Sequence, residues 1–173
     1  MSYQYIGSEL ELFAAATNWK AYLAELLRRF VAGRVLEVGA GIGSNVPYLH
    51  NNLVREWTCL EPDPNLARRI EERLASGQLP TSCRMITGTT ASIDGSAQFD
   101  TILYLDVLEH ILEDCAELNR ARRHLAAKGN LVMVAPAHQF LITAFDAAIG
   151  HHRRYNRAGL RALTPRGCLL QPA

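Results

Sequence analysis

The residues best suited to chemistry in this chain are a glycine-rich turn and a few acids and histidines set at fixed distances from it. The stretch Val35-Leu-Glu-Val-Gly-Ala-Gly-Ile-Gly-Ser-Asn45 reads as a short apolar strand that ends in an acid, Glu37, followed by glycine at every second position: Gly39, Gly41 and Gly43. Such a turn lets backbone reverse sharply and lie against a ligand with no side chain between them. A second acid, Glu61, closes another apolar run about one strand-helix-strand unit later. Together they have the geometry of a site for an adenosine-containing cofactor. Farther along, Asp106 ends a third long apolar run, and His110 and His151 are candidate general bases because unperturbed imidazole titrates near working pH.

The glycine spacing narrows the cofactor. A dinucleotide fingerprint wants glycine at the first, third and sixth positions, so that a helix N-terminus can receive a pyrophosphate. Counted from Gly39, the sixth position is Ser44, and the glycines fall at the first, third and fifth. A dinucleotide site and a purely structural tight turn are the two alternative readings of the loop.

The elements that must hold these residues follow from periodicity. Ser8, as N-cap, to about Phe30 is predicted as one helix with Trp19, Leu23, Leu26, Leu27 and Phe30 inward and Lys20 on the opposite face. Strands are predicted over 34–38, 56–61, 83–87, 99–105 and 130–135. Asp63 and Pro64 start a helix as N-cap and first residue, and Gly77 ends it. A further helix over 113–127 has Ala116, Leu118, Ala121 and Leu125 inward. Strands alternating with helices in this way imply an α/β fold with a mostly parallel sheet and right-handed crossovers. Ligands of such sheets bind beyond the carboxyl ends of the strands, where the glycine loop, Glu61, Gly88-Thr89 and Asp106 all fall.

Composition sets the frame. A chain of 173 residues, 49% hydrophobic and 20% charged, suits one globular domain. No apolar run approaches a membrane span, and the N-terminus lacks a secretory layout, so a cytoplasmic location is expected. Cys59, Cys83, Cys115 and Cys168 form no C-x-x-C pair and are read as reduced core residues, with no metal site expected. The net charge of +1 hides an asymmetry, since the five arginines after Gly150 are unopposed by any acid in that segment.

The pieces Val35-Leu-Glu-Val-Gly-Ala-Gly-Ile-Gly43, Leu60-Glu-Pro-Asp63, Phe99-Asp to Asp106-Val-Leu-Glu-His110 and Gly150-His-His-Arg-Arg-Tyr155 resemble the Rossmann-like, class I S-adenosylmethionine-dependent methyltransferases over about residues 33–163. The resemblance implies a three-layer α/β sandwich in one domain over 1–173: a leading helix (1–32), a cofactor-binding core (33–136), and an acceptor-side insert with the last helix (137–173). It implies methyl transfer from S-adenosylmethionine to a small acceptor. In that family's terms Glu61 accepts the ribose hydroxyls, Pro62 and Asp63 flank the adenine, and Glu37 orients the cofactor's ammonium through the loop. Gly39, Ala40, Gly41 and Gly43 line the methionine chain, while Gly88, Thr89, Asp106 and Val107 complete the pocket. Thr89 stands where many members carry an adenine-binding aspartate, leaving backbone or Thr90 to that task. Thr164 to Ala173 is too short and too broken by proline for the family's last two strands, which are expected to be missing, leaving strand five as an edge through which two copies could pair. For the acceptor, Trp19, His151, Arg153, Arg154 and Tyr155 are the candidate contacts; paired arginine forks would suit an anionic molecule. A nicotinamide-dependent oxidoreductase and a catalytically inactive cofactor-binding module are the rival functions. Nucleic acid is an unlikely substrate class, as the basic segment has little aromatic interleaving beyond Tyr155.

Overall fold

The computed structural model describes residues 4–7 and 10–169. The predicted cap Ser8 lies outside the described residues. Five strands, β1 (Gly33–Val38), β2 (Val54–Glu61), β3 (Cys83–Thr87), β4 (Phe99–Leu105) and β5 (Leu125–Val134), form one sheet in the order β3-β2-β1-β4-β5, every pair parallel. β1 is therefore the turning point: the chain builds outward through β2 and β3, then returns to β1's other side with β4. Sheets of this kind bind ligands at such a turning point, in a crevice at the carboxyl ends of the strands.

Strand periodicity divides the core between the two faces. Val35, Trp57, Cys59, Leu103 and Leu105 pack on one side beneath α2 (Thr17–Leu27), α3 (Val46–Leu49) and α4 (Pro64–Ala75). Leu36, Val38, Leu60, Ile102 and Tyr104 pack on the other, with Leu118 and Ala121 of α5 (Asp114–Arg123) and Leu160 of α7 (Arg157–Ala162). Alternate residues of each central strand thus serve opposite layers, so β4 needs apolar side chains throughout. Asp63 caps α4 by accepting from the Asn65 and Leu66 amides at 2.7 and 3.4 Å, as the Asp-Pro pair predicts.

Five expectations require correction. The leading helix is two, α1 (Leu10–Ala15) and α2, separated where the Ala16 amide bonds three residues back to Phe13. The inward stripe of α2 is Lys20, Leu23, Ala24 and Leu27, whereas Trp19 is 48% exposed beside Tyr22. Both sets satisfy a helical period; Lys20 occupies the inner position because its amine finds partners below the sheet edge and its stem packs as a hydrocarbon. α5 stops at Arg123, and its inner face carries Glu117 where Ala116 was expected. Leu125 instead opens β5, five residues ahead of the predicted start, with Lys128 at φ +65° and a register shift along the β4 pairing. Cys115 is exposed, so only Cys59 and Cys83 behave as fully buried core thiols. β5 does take one edge of the sheet.

Candidate active site

The turn after β1 is fixed by its own backbone. Amides of Gly39 and Ala40 both donate to the Leu60 carbonyl, at 2.8 and 3.1 Å, and the Gly43 amide closes the turn on Ala40 at 2.8 Å. Gly39 and Gly41 have φ of +65° and +59°, where side chains are strained. A Cβ on Gly39 would stand 2.8 Å from both γ-carbons of Val107, so this glycine brings the loops after β1 and β4 into contact. A Cβ on Gly41 would meet nothing nearer than Leu10 at 3.7 Å: here the missing side chain leaves space. Gly43 faces Ile70 and Leu79, on the α4 side.

Glu61 ends β2 beneath this turn. It is 4% exposed, and its two carboxylate oxygens accept from the Gly41 amide at 2.8 Å and the Asp63 amide at 3.0 Å. Each oxygen keeps a lone pair for a further donor. Burial pushes its pKa up to about 7, against the pull of the two amides. Glu37 is buried under the loop, accepting from Asn45 Nδ2 at 2.9 Å and the Trp57 indole N–H at 3.1 Å; burial raises it also to about 7. Asn45 in turn accepts from the Lys20 amine at 2.7 Å. Lys20 is held below the usual lysine range by its own burial, partly opposed by Glu37 and Asp106. Glu37 thus acts on the loop through Asn45, and the chain Lys20-Asn45-Glu37-Trp57 is a polar spine that the sequence reading missed. Its only sequence signal was a lysine at a position that also fits an apolar stripe.

The other predicted cofactor residues surround this turn. Half-buried Pro62 joins Glu61 to Asp63, whose second oxygen accepts from the Tyr5 amide at 2.6 Å. Tyr5, Leu10, Asp63 and Leu66 line a cleft of about 250 Å³. Thr89 caps the short helical turn Thr90–Ser92 that follows Gly88. Thr90 is not available to a ligand: its hydroxyl donates to the buried Glu117, which also accepts from Tyr104 at 2.7 Å and Arg120 at 2.6 Å. Asp106 is in left-handed conformation at φ +54° and caps no helix, leaving its carboxylate beside Lys20 and Val107 against Gly39. A cleft of about 750 Å³ between α1, α3 and α4 is lined by none of the predicted site residues.

The insert after β5 folds back on this end of the sheet. Tyr155 is buried and donates to the Leu108 carbonyl or Asp114 carboxylate, at 3.1 and 2.8 Å, and the His152 amide donates to the Glu109 carbonyl at 2.8 Å. His151 is consequently brought against His110, ring centroids 4.6 Å apart, and its Nε2 lies 3.9 Å from Glu109 Oε1. Its Nδ1 is 2.9 Å from Asp146, in α6 (Ala144–Ala148). Tyr5 stacks edge-on against His110 at 5.7 Å, linking this group to Asp63 across the crevice.

Arg153 and Arg154, the expected anion grip, are both engaged within the protein. Arg154 clasps Asp146 with both Nε and Nη2, at 2.7 and 2.9 Å, and that clasp first of all holds the Asp146 carboxyl well below the usual range. Arg153 pairs with Asp114 at 2.7 Å and the Leu112 carbonyl at 2.8 Å. The acids that oppose these arginines come from outside the 151–166 segment. Tyr155 likewise spends its hydroxyl on structure.

Comparison with known proteins bears on what this crevice binds. The methyltransferase domain family matches residues 11–168. The chain belongs to that family. No curated protein matches it in sequence. Among solved structures it is similar to the YcgJ protein from Bacillus subtilis, with 17% identity, TM-score 0.70, and coverage of 84% of this chain and 66% of that one. An S-adenosylmethionine-dependent methyltransferase from Clostridium acetobutylicum gives 16% identity, TM-score 0.58, and 75% and 54% coverage. The N-terminal domain of EvdMO1 with S-adenosylhomocysteine bound gives 20% identity, TM-score 0.63, and 83% and 68%. The chain thus spans only 66% and 54% of the first two. With the family, these neighbours support S-adenosylmethionine as the cofactor and the Rossmann-like architecture.

Proposed function

We propose that this domain transfers a methyl group from S-adenosylmethionine to a small acceptor that enters beside Lys20, His110 and His151. The observation that carries the reading is Glu61. It is a buried carboxylate at the β2 terminus with spare lone pairs, held against a glycine turn whose Gly41 leaves space for a ligand. Such a pair of acceptor oxygens suits the paired hydroxyls of a ribose, which donate to it. An acid at this place also suits the ribose of a dinucleotide; what disfavours the nicotinamide alternative is the glycine spacing, which puts Ser44 where the dinucleotide fingerprint has its third glycine.

When bound, the cofactor supplies a methyl group on a sulfonium that is already a good leaving group. The protein's share is alignment and exclusion of water. Gly39 to Gly41 hold the turn open and Glu61 takes the ribose side. Glu37 and Asn45 fix the loop from below, with Lys20 placing a cation at the crevice. His151, with Nδ1 turned to Asp146, presents Nε2 as the atom able to take a proton from the acceptor. With Arg153 and Arg154 committed to Asp114 and Asp146, an anionic acceptor finds its cation in Lys20.

Calorimetry with S-adenosylhomocysteine and with NAD tests the cofactor. Saturable binding of the first and none of the second is expected, and the reverse sinks the proposal. Transfer of label from methyl-labelled S-adenosylmethionine to any of a panel of small hydroxyl, amine and carboxylate compounds distinguishes an enzyme from an inactive cofactor-binding module.

A further inference from the structure

Three ligand-bearing side chains stand together beside the crevice. One oxygen of Glu109, one ring nitrogen of His110 and one of His151 all lie within 4.8 Å of one another. Glu109 and His110 share the helical turn Leu108–His110 that follows β4, and the His152-to-Glu109 backbone bond brings His151 across from the insert. Gly150, at φ +86°, turns the insert beside the cluster and lies against His110.

Glu109 lacks the partners that a buried carboxylate ordinarily has. The residue is 0% exposed, and neither carboxylate oxygen has a hydrogen-bond partner among the other described residues. The nearest favourable neighbours are its own backbone N–H and His151 Nε2 at 3.9 Å. Burying such a group uncompensated is costly. On the far side of His151, Asp146 accepts from Nδ1, which turns the Nε2 lone pair toward Glu109, and Arg154 keeps Asp146 ionised. A carboxylate behind a histidine whose other nitrogen points at a further ligand is the usual support of a metal-bound imidazole.

We infer that Glu109, His110 and His151 bind one divalent transition-metal ion, whose open positions hold an oxygen of the methyl acceptor. Two imidazoles and one carboxylate favour zinc, manganese, iron(II) or cobalt over magnesium and calcium, which take oxygen sets. Ligands sharing an ion at about 2.1 Å stand roughly 3.0 to 3.4 Å apart, so the widest separation in the cluster closes by roughly 1.5 Å on loading. The acceptor's role rests on the methyl-transfer reading. There, His151 Nε2 is bound to the ion and the ion replaces it in activating the acceptor: a hydroxyl acceptor on the ion loses its proton to water, its oxygen bonds to the methyl carbon, and the carbon–sulfur bond breaks with its pair left on sulfur. The products are a methyl ether and a thioether.

The test uses the full chain, untagged and stripped with chelator, titrated with cobalt(II) followed by its visible absorption and with zinc by calorimetry. One ion per chain is expected, with Glu109→Gln and His110→Ala each weakening it at least tenfold or so while S-adenosylhomocysteine affinity stays within about threefold. Glu109→Gln keeps the shape and removes the unpaired charge, so it is also expected to raise the melting temperature of the metal-free protein. No saturable binding by concentrations on the order of 100 μM, binding indifferent to both substitutions, or binding of magnesium alone overturns the site. Metal binding without any S-adenosylhomocysteine binding removes the acceptor role and leaves the ion site standing.

Discussion

Between Val38 and Asn45 the chain is held by its own backbone: amides of Gly39 and Ala40 on Leu60, that of Gly41 on Glu61, and φ values near +60°. Between Ala137 and Tyr155 it is held by side chains: Arg154 and His151 on Asp146, Arg153 and Tyr155 on Asp114. Both segments close on the same end of the sheet. The first depends on residues with little or no side chain, and so any addition obstructs it. The second depends on charges that come out of water only in pairs, so any removal orphans a partner.

The largest effect expected from this difference is at Gly41. Gly41→Val adds a branched side chain to the one open position of the turn, at a positive φ, and should cost at least about a hundredfold in S-adenosylhomocysteine affinity, measured by calorimetry. Retained affinity would make the turn a mere connection. Next is a pH effect. With its pKa at about 7, Glu61 is protonated below neutrality and cannot accept both ribose hydroxyls, so affinity should fall about tenfold per unit below pH 7 and level off above it. Glu61→Gln should flatten that profile at the low-affinity end; a wild-type profile flat from pH 5.5 to 8 removes the ribose assignment. The same shift has the opposite sign for the ligand-free fold. A carboxyl whose folded pKa is raised favours folding at low pH, so Glu61 and Glu37 together should make stability decline from about pH 4.5 to 7.

Arg154→Ala is the mirror of Gly41→Val. It should lower the melting temperature while cofactor affinity moves less than about threefold, because the arginine touches only the insert. Its partner's pKa is depressed, so the stability lost in the variant should be full above about pH 4 and shrink as acid protonates Asp146 in the wild type. A variant of undiminished stability whose acceptor KM rose would restore the anion grip. The smallest effect is at Trp19. Trp19→Ala should change neither cofactor affinity nor stability appreciably, whereas Lys20→Met should weaken cofactor binding severalfold, and a reversal of that order would restore the predicted face of α2.

What was legible in the sequence divides along the same line. The turn, both strand-end acids and the α4 cap were readable because each rests on neighbours in the chain: glycine where φ is positive, aspartate before proline at a helix start. The acids that pair with the arginines were not legible because Asp114 stands 39 residues before Arg153, and no local pattern announces that pairing. Lys20 was misplaced by one helical position, since two overlapping stripes both fit the period and only Asn45, 25 residues on, chooses between them. The grouping of Glu109, His110 and His151 was not legible because only two of the three are chain neighbours, and the third arrives from the insert through the fold.

The order of strands has a consequence for how the crevice comes into being during synthesis. β1, β2 and β3 leave the ribosome first and can pair as a block, bringing the glycine turn and Glu61 together while β4 is still unmade. Val35 meets its partner Thr101 only after 66 further residues, and Val107, which underlies Gly39, comes later still. The pocket is therefore a seam between an early half and a late half of the nascent chain. A chain arrested before β4 would carry the whole glycine motif and have no floor beneath it.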